Sequence, residues 1–360
     1  MSDGRYIKRL QGVFYNMSKK VKLGSRWVGD GEPVYIIAEG GLTNWGRLDL
    51  AKAQVDAAMA AGADCVKFQA QTTEALVSKK VDPYWYRRLK YKELSHDDLR
   101  ELWEYCQIRN IDCLITAHTD IDLEFLDKGL KVPFFKIGSG ESINDDFLKN
   151  VAARKKPVAV SLGLHQNDEE IFRSIDILCN TGLEDIVILH CNTVYPTPPA
   201  INGLRQITHL QKLLPDYPIG YSDHTVGWHI PIAAVALGAC VIEKHLSFDK
   251  TDKRSLDCAG SCTPEDLKLM VNQIREVEQA LGNNPEARRA AIANARLWAQ
   301  QSIVAVGRIA AGTVLTRDML AFKRPAKGGI PADQVNTIIG KKVIVPIDYD
   351  EQVLPEHLEL

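Results

Sequence analysis

No stretch of this 360-residue sequence holds the roughly 18 consecutive apolar residues of a membrane span. Residues 1–20 likewise lack the apolar core of a secretory leader, so the expected location is the cytoplasm and no membrane partner is expected. Charge of one sign is missing too. With 44 Lys and Arg against 46 Asp and Glu, nothing global attracts a nucleic acid, and any anion must be bound locally. Paired CxxC knuckles and a Gly-rich phosphate loop are absent. The nearest stretch, Gly138-Ser139-Gly140, is too short to cradle a phosphate, so no nucleotide cofactor is implied. The eight cysteines stand singly, and Cys65, Cys113, Cys191 and Cys240 sit in or beside apolar runs, where a reduced thiol serves as a small core residue.

What is present is alternation. With 45% apolar residues the chain can bury one large core and keep a small second domain. From Tyr35 onward, short β-branched runs alternate with longer amphipathic ones, and eight strand candidates stand out at 35–39, 65–71, 113–119, 134–140, 158–163, 186–192, 219–224 and 241–248. Helix starts are marked by Asp49, Ser95 and the Thr263-Pro264 pair, and helix ends by Gly62, Gly129, Gly182, Gly238 and Gly282. Eight strand–helix pairs over about 250 residues predict a (β/α)8 TIM barrel of the α/β class over 35–282. Residues 1–34 read as an N-terminal hairpin extension, 283–300 as a polar, Ala-rich linker, and 301–360 as a small β-rich domain of short pieces punctuated by Gly and Pro.

In such a barrel the chemistry sits at the carboxyl ends of the strands. Read in order, these ends carry Glu39, Lys67 and Gln69, Thr116, Lys136 with Ser139 and Glu141, Ser161, His190 with Thr193 and Tyr195, Ser222 with His224, and Glu243 with His245. That polarity is too dense for packing. Lys67 and Lys136 with the hydroxyls of Thr116, Ser139, Ser161 and Ser222 suit a small phosphate- or carboxylate-bearing dianion. The plainer alternative is a pair of structural ion pairs to Glu39 and Glu141. His224 and His245 end adjacent strands and can share a divalent metal with water and substrate. A Ser222-Asp223-His224 relay is excluded, because neighbours along one strand point to opposite faces.

The ordered motifs Ala38-Glu-Gly-Gly, Val66-Lys-Phe-Gln, Phe135-Lys-Ile-Gly-Ser-Gly-Glu, His190-Cys, Tyr195-Pro-Thr-Pro, Gly220-Tyr-Ser-Asp-His-Thr and Val241-Ile-Glu-Lys-His resemble those of the bacterial sialic acid synthase family. The likeness runs from about Tyr35 to the end. Its last part, with Lys323-Arg-Pro, is similar to that family's antifreeze-like (SAF) domain. The resemblance implies condensation of phosphoenolpyruvate with a sugar aldehyde. It implies phosphoenolpyruvate on Lys67, Thr116, Lys136, Ser139, Ser161, Thr193 and Ser222, and a divalent metal, manganese before magnesium or cobalt, on His224 and His245. It further implies catalytic roles for Glu39, Glu141 and Asp257, sugar contacts from Gln69 and Tyr195, and Arg324 reaching across a domain-swapped homodimer. Two loops depart from the family pattern, Thr43-Asn-Trp-Gly and Ser255-Leu-Asp-Cys-Ala-Gly-Ser, which points to a changed acceptor pocket. Two other readings stay open. One is a synthase of the same fold that takes a sugar phosphate through Arg87, Arg88 and Lys90, and the other is a carbohydrate-binding relative without turnover.

Overall fold

The computed structural model describes residues 19–282 and 284–359. The first 18 residues of the expected extension and the first residue of the expected linker lie outside the described residues. The chain divides after Leu281 into two compact units.

Strands β1 (Val21–Leu23) and β2 (Arg26–Val28) form an antiparallel hairpin. Its turn runs through Gly24, whose φ of +57° suits a residue without Cβ, and the Asp112 carboxylate fills the space a side chain would need. Ser25 donates from its backbone N–H and its hydroxyl to Asp112 Oδ2, each at 2.9 Å. The Tyr35 hydroxyl donates to the same oxygen at 2.8 Å, so one carboxylate pins the hairpin to the barrel.

Eight parallel strands follow: β3 (Tyr35–Glu39), β4 (Cys65–Ala70), β5 (Asp112–Ala117), β6 (Phe135–Ile137), β7 (Val158–Ser161), β8 (Ile186–Cys191), β9 (Ile219–Asp223) and β10 (Val241–His245). They close in sequence order, β10 pairing with β3. Several stop short of their apolar runs because the last residues turn outward into loops, β6 keeping only three residues of 134–140. Outward-facing residues such as Ile36, Val66, Ile115 and Ile188 pack under the surrounding helices. Inward-facing Tyr35, Ile37, Leu114, Phe134, Val187 and Val241 form a separate apolar layer with Val21, Leu23 and Val28 of the hairpin. The barrel floor is thereby sealed, and only the carboxyl end is open to polar residues.

The cap signals act much as chemistry requires. Ser95 and Asp98 make a reciprocal capping box for helix His96–Arg109, and Thr263 and Asp266 exchange 3.2 Å bonds at the start of Pro264–Leu281. Helix Leu48–Ala61 differs, since Arg47 holds the cap position and Asp49 lies in the first turn beside it. Gly129 does not end a helix either. It sits inside a π-helical turn, Phe125–Leu130, against the Phe125 ring, and Lys131 takes the left-handed position. Residues 72–94, between β4 and helix His96–Arg109, contain helices Thr73–Leu76 and Pro83–Lys90. No helix among the described residues is long and apolar enough to cross a membrane.

The stretch expected as a linker is a helix, Pro285–Ala299, and it belongs to the second unit. Asn284 accepts from the Ala287 N–H at 3.0 Å, Pro285 sits at N1, and an Ala- and Arg-rich run propagates, so local propensity suffices without any buried face. Beyond it, β11 (Ser302–Ala305) and β12 (Leu320–Lys323) pair antiparallel. The other strand-like pieces make single bridges, as Val314 to Lys342 and Val343 to Leu358, because Gly and Pro interrupt them. Ile303, Leu315, Val343, Ile347 and Val353 form that unit's own core.

Candidate active site

Period-two alternation sets the site's floor. One step above the sealed apolar layer, β3, β4, β5, β6 and β10 present Glu39, Lys67, Thr116, Lys136 and Glu243 inward. Register places Glu39 beside Lys67 on one side and beside His245 on the other, Thr116 beside Lys136, and Ser222 beside Glu243. Lys67 Nζ lies 2.6 Å from Glu39 Oε2 and 3.5 Å from Glu243 Oε1, and it donates to Thr116 Oγ1 at 3.2 Å. Lys136 Nζ donates to Ser161 Oγ at 2.7 Å and lies 3.8 Å from Glu243 Oε2. Glu243 therefore bridges both lysines. Ser222 adds a 3.2 Å bond to it, and Gln69 donates to Glu39 at 2.9 Å.

Burial opposes the charges of Glu243, Lys67 and Lys136, and the outcome differs by neighbour. For Glu243 burial is outweighed by Lys136 and Lys67, which bring its carboxyl down to about 2. Burial also works against the Lys67 ammonium, but Glu243 and Glu39 overcome it and raise its pKa. Lys136 has only the longer contact to Glu243, so burial and repulsion from Lys67 lower its pKa. Two cations and two carboxylates thus compensate one another at the cavity floor. Glu243→Gln should remove a pH-dependent share of stability. The folded carboxyl sits at about 2 against an ordinary 4.5, so that share, about 3 kcal/mol, is full above pH 4.5 and lost as pH falls toward 2. Urea unfolding of both proteins at pH 7 and pH 3 checks this, and a stability gap that does not narrow at pH 3 would contradict it.

Above the floor lies a cavity of about 770 Å³. The barrel residues expected from the sequence to serve as catalytic groups, substrate contacts or metal donors all line it: Glu39, Lys67, Gln69, Thr116, Lys136, Ser139, Glu141, Ser161, Thr193, Tyr195, Ser222, His224, His245 and Asp257. Arg324 belongs to the second unit, where it is exposed after β12. Ser139 Oγ accepts from the Gly163 N–H at 3.0 Å, and Thr193 Oγ1 donates to the Gly163 carbonyl at 2.9 Å. A Cβ on Gly163 would come within 2.7 Å of both hydroxyls, so the glycine leaves them room.

The His224 and His245 rings stand 5.2 Å apart, and Tyr195 packs against His224 at 4.0 Å with the rings tilted by 40°. His224 Nδ1–H donates to the Asn192 carbonyl, so in the neutral ring Nε2 keeps its lone pair, while burial is outweighed by Cys191, which raises the His224 pKa. Burial holds the His245 pKa down and favours its neutral ring, whose Nδ1 has no hydrogen-bond partner. Two imidazoles are a partial donor set. No third His, Cys, Asp or Glu completes a metal cluster among the described residues.

Some neighbours were not foreseen. Glu141 does not pair with Lys136; His118 Nδ1 lies 3.0 Å from its Oε1. The period-two step from Thr116 to His118 was the available signal. Cys191, expected as a core thiol, lines the cavity with Sγ 3.9 Å from His224 Nδ1. Lys92 is buried, lines the outer part of the cavity, and lies 5.4 Å from the Trp45 ring. Nothing in its loop sequence marks it. His190 faces away from the cavity, its Nε2 on the Asn202 carbonyl at 2.9 Å, as alternation along β8 demands. In the divergent loop, Ser255, Leu256 and Asp257 line the cavity, whereas Cys258 is buried against Ser247.

The sequence matches the NeuB family over residues 54–286 and the SAF domain over 300–359. The chain belongs to the NeuB family. It is 37% identical to the N-acetylneuraminate-9-phosphate synthase of Mus musculus, over 93% of this chain and 95% of that one. It is 36% identical to the N,N'-diacetyllegionaminic acid synthase of Campylobacter jejuni, over 89% of this chain and 98% of that one. The crystal structure of the N-acetylneuraminic acid synthetase of Leptospira borgpetersenii superposes with a TM-score of 0.71 at 31% identity, covering 78% of this chain and 97% of that one. Like the named synthases of the NeuB family, this chain is an enzyme that forms carbon–carbon bonds.

Proposed function

We propose that this NeuB-family enzyme condenses phosphoenolpyruvate with the aldehyde of a hexosamine-like sugar, giving a 2-keto-3-deoxy sugar acid and phosphate. The observation that carries the reading is the buried pair Lys67 and Lys136 at the floor of one cavity, ringed by the hydroxyls of Thr116, Ser161 and Ser222. Ammonium groups and short donors at this depth suit a substrate with both a carboxylate and a phosphate.

In this reading the lysines hold the two anionic groups while the enol carbon attacks the aldehyde carbon; the C=O pair moves to the aldehyde oxygen, which takes a proton from solvent, and a cation forms at the phosphate-bearing carbon. Water then adds at the carbon bearing the phosphate, Glu39 or Asp257 takes its proton, and phosphate leaves to give the ketone. Gln69, Glu141 and Tyr195 orient the sugar at the rim. A divalent cation, manganese before magnesium or cobalt, supplies a Lewis acid for the aldehyde oxygen, with His224 and His245 as its protein donors. The free Nε2 of His224 and the neutral His245 ring suit that role, with oxygen ligands left to substrate and water. The reading includes a homodimer that brings Arg324 of a partner copy to the sugar, and work in the cytoplasm.

A phosphorylated sugar is the second reading, and Lys92 favours it. This cation lies buried in the outer cavity with Arg88 as neighbour. Phosphate release from phosphoenolpyruvate with a panel of aldoses, each free and phosphorylated, tests both. At least one acceptor should release phosphate stoichiometrically with keto-acid, chelation should abolish the release, and manganese should restore it. No release with any aldose in the presence of manganese overturns the condensation reading, and full activity after chelation overturns the metal.

A further inference from the structure

His118 and Glu141 stand on consecutive strand ends, β5 and β6, and both line the main cavity. His118 lies two residues beyond Thr116 on the same face, so the pair sits a layer above the lysine floor. His118 Nδ1–H donates to Glu141 Oε1 at 3.0 Å. This leaves two polar atoms unspent, since His118 Nε2 and Glu141 Oε2 have no hydrogen-bond partner. Burial opposes the Glu141 charge, but the His118 hydrogen bond outweighs it and keeps the carboxyl below its ordinary range. Among the described residues no Lys or Arg forms an ion pair with this carboxylate. A buried carboxylate fixed by a histidine alone, with acceptor capacity left over, is costly unless a donor arrives with a ligand.

We propose that His118 and Glu141 form a specificity dyad that takes two adjacent hydrogen-bond donors of the acceptor sugar, a vicinal diol or a hydroxyl beside an amide N–H. In the neutral ring, donation from Nδ1 leaves Nε2 as an acceptor, and the ionised carboxylate is acceptor-only, so the dyad selects donors. Both unspent atoms are covered in the ligand-free cavity, and rotation about the Glu141 side chain turns the carboxylate toward a ligand without moving the backbone. Gly138 makes room for the carboxylate where it lies now, because a Cβ there would come within 2.6 Å of Glu141 Oε2. His118 acts mainly through Glu141 and is a positioning residue as well as a contact. The inference rests on the condensation reading for the identity of the acceptor.

The test is a cycle on the full chain between His118→Phe and deoxy analogues of the best acceptor, each lacking one donor. His118→Phe should raise the acceptor KM about ten- to a hundredfold, with the phosphoenolpyruvate KM changed less than about twofold. One analogue should lose as much on the wild type and nothing further on His118→Phe. His118→Gln, whose amide still donates to Glu141, should recover part of the loss, and it carries the same cycle if the Phe variant does not fold. Penalties that multiply for every analogue, or an equal rise in both KM values, overturn the dyad while leaving the condensation reading intact. If the wild type releases no phosphate with any sugar, the condensation reading falls by itself. Calorimetric binding of the same sugars then judges the dyad, and unchanged affinity in His118→Phe overturns it.

Discussion

Lys67→Met should cost both activity and stability, and the two losses come from one atom. Nζ of Lys67 is the cation nearest Glu39, at 2.6 Å, and it also reaches Glu243 at 3.5 Å. All three side chains are at least 95% buried, so methionine would leave Glu39 at the cavity floor with the Gln69 amide but without a counter-charge. Breaking a buried pair by removing one partner typically costs about 3–5 kcal/mol, because the remaining charge has neither water nor partner. Under the proposed condensation, the charge-assisted contact of Lys67 to the substrate anion would be lost as well. A fall in kcat/KM for phosphoenolpyruvate of roughly a hundredfold or more is expected, with a matching drop in the urea midpoint. Steady-state phosphate release and urea unfolding on the same preparation check both. A variant with wild-type stability would mean that the layer tolerates an unpaired carboxylate, and the electrostatic account of the floor would be wrong.

Lys244→Met should be as damaging to stability by a different route. Lys244 points away from the cavity, and it and Asp223 are both fully buried, joined Nζ to Oδ2 at 2.5 Å. Lys244 Nζ also donates to the Thr225 carbonyl at 2.6 Å. Asp223 accepts in addition from Tyr221, from the Thr225 N–H and from the Thr225 hydroxyl, so the pair ties the end of β9 to the end of β10. These are the strands whose next residues inward are His224 and His245. Replacing the lysine strands a carboxylate among apolar helices, and about 3–5 kcal/mol should be lost. Adding Asp223→Asn keeps the polar contacts to Tyr221 and Thr225 while removing the stranded charge. The double variant should therefore unfold at a higher urea concentration than Lys244→Met alone. If the double variant is the less stable of the two, the carboxylate was never the problem, and the loss belongs to packing around the lysine stem.

The plainer alternative for the lysines, structural ion pairing, turned out half true in an instructive way. Lys67 does pair with Glu39, and Lys136 pairs with Glu243 rather than Glu141. Glu243 was visible at its strand end, yet its place between two lysines depends on β10 lying across the barrel mouth from β4 and β6. Strand closure decides that distance, and no local pattern encodes it. The helix read as a linker shows the opposite error. Residues 285–299 have no buried face, so nothing amphipathic announces a helix, and intrinsic propensity with a proline start was enough.

What the sequence determined alone is whatever repeats with a short period. Alternation of apolar runs specified eight strand–helix units, and the step of two along each strand specified which polar residues share a face with the cavity. Capping residues marked helix starts because their hydrogen bonds close within three residues, as at Ser95 and Thr263. Only the tertiary structure decided which strand ends become neighbours: that His245 lies beside Glu39, that Glu243 serves both lysines, and that His118 turns to Glu141. The reason is physical. A side chain's face follows from its own backbone, whereas its counter-charge is supplied by another strand whose position exists only once the barrel has closed.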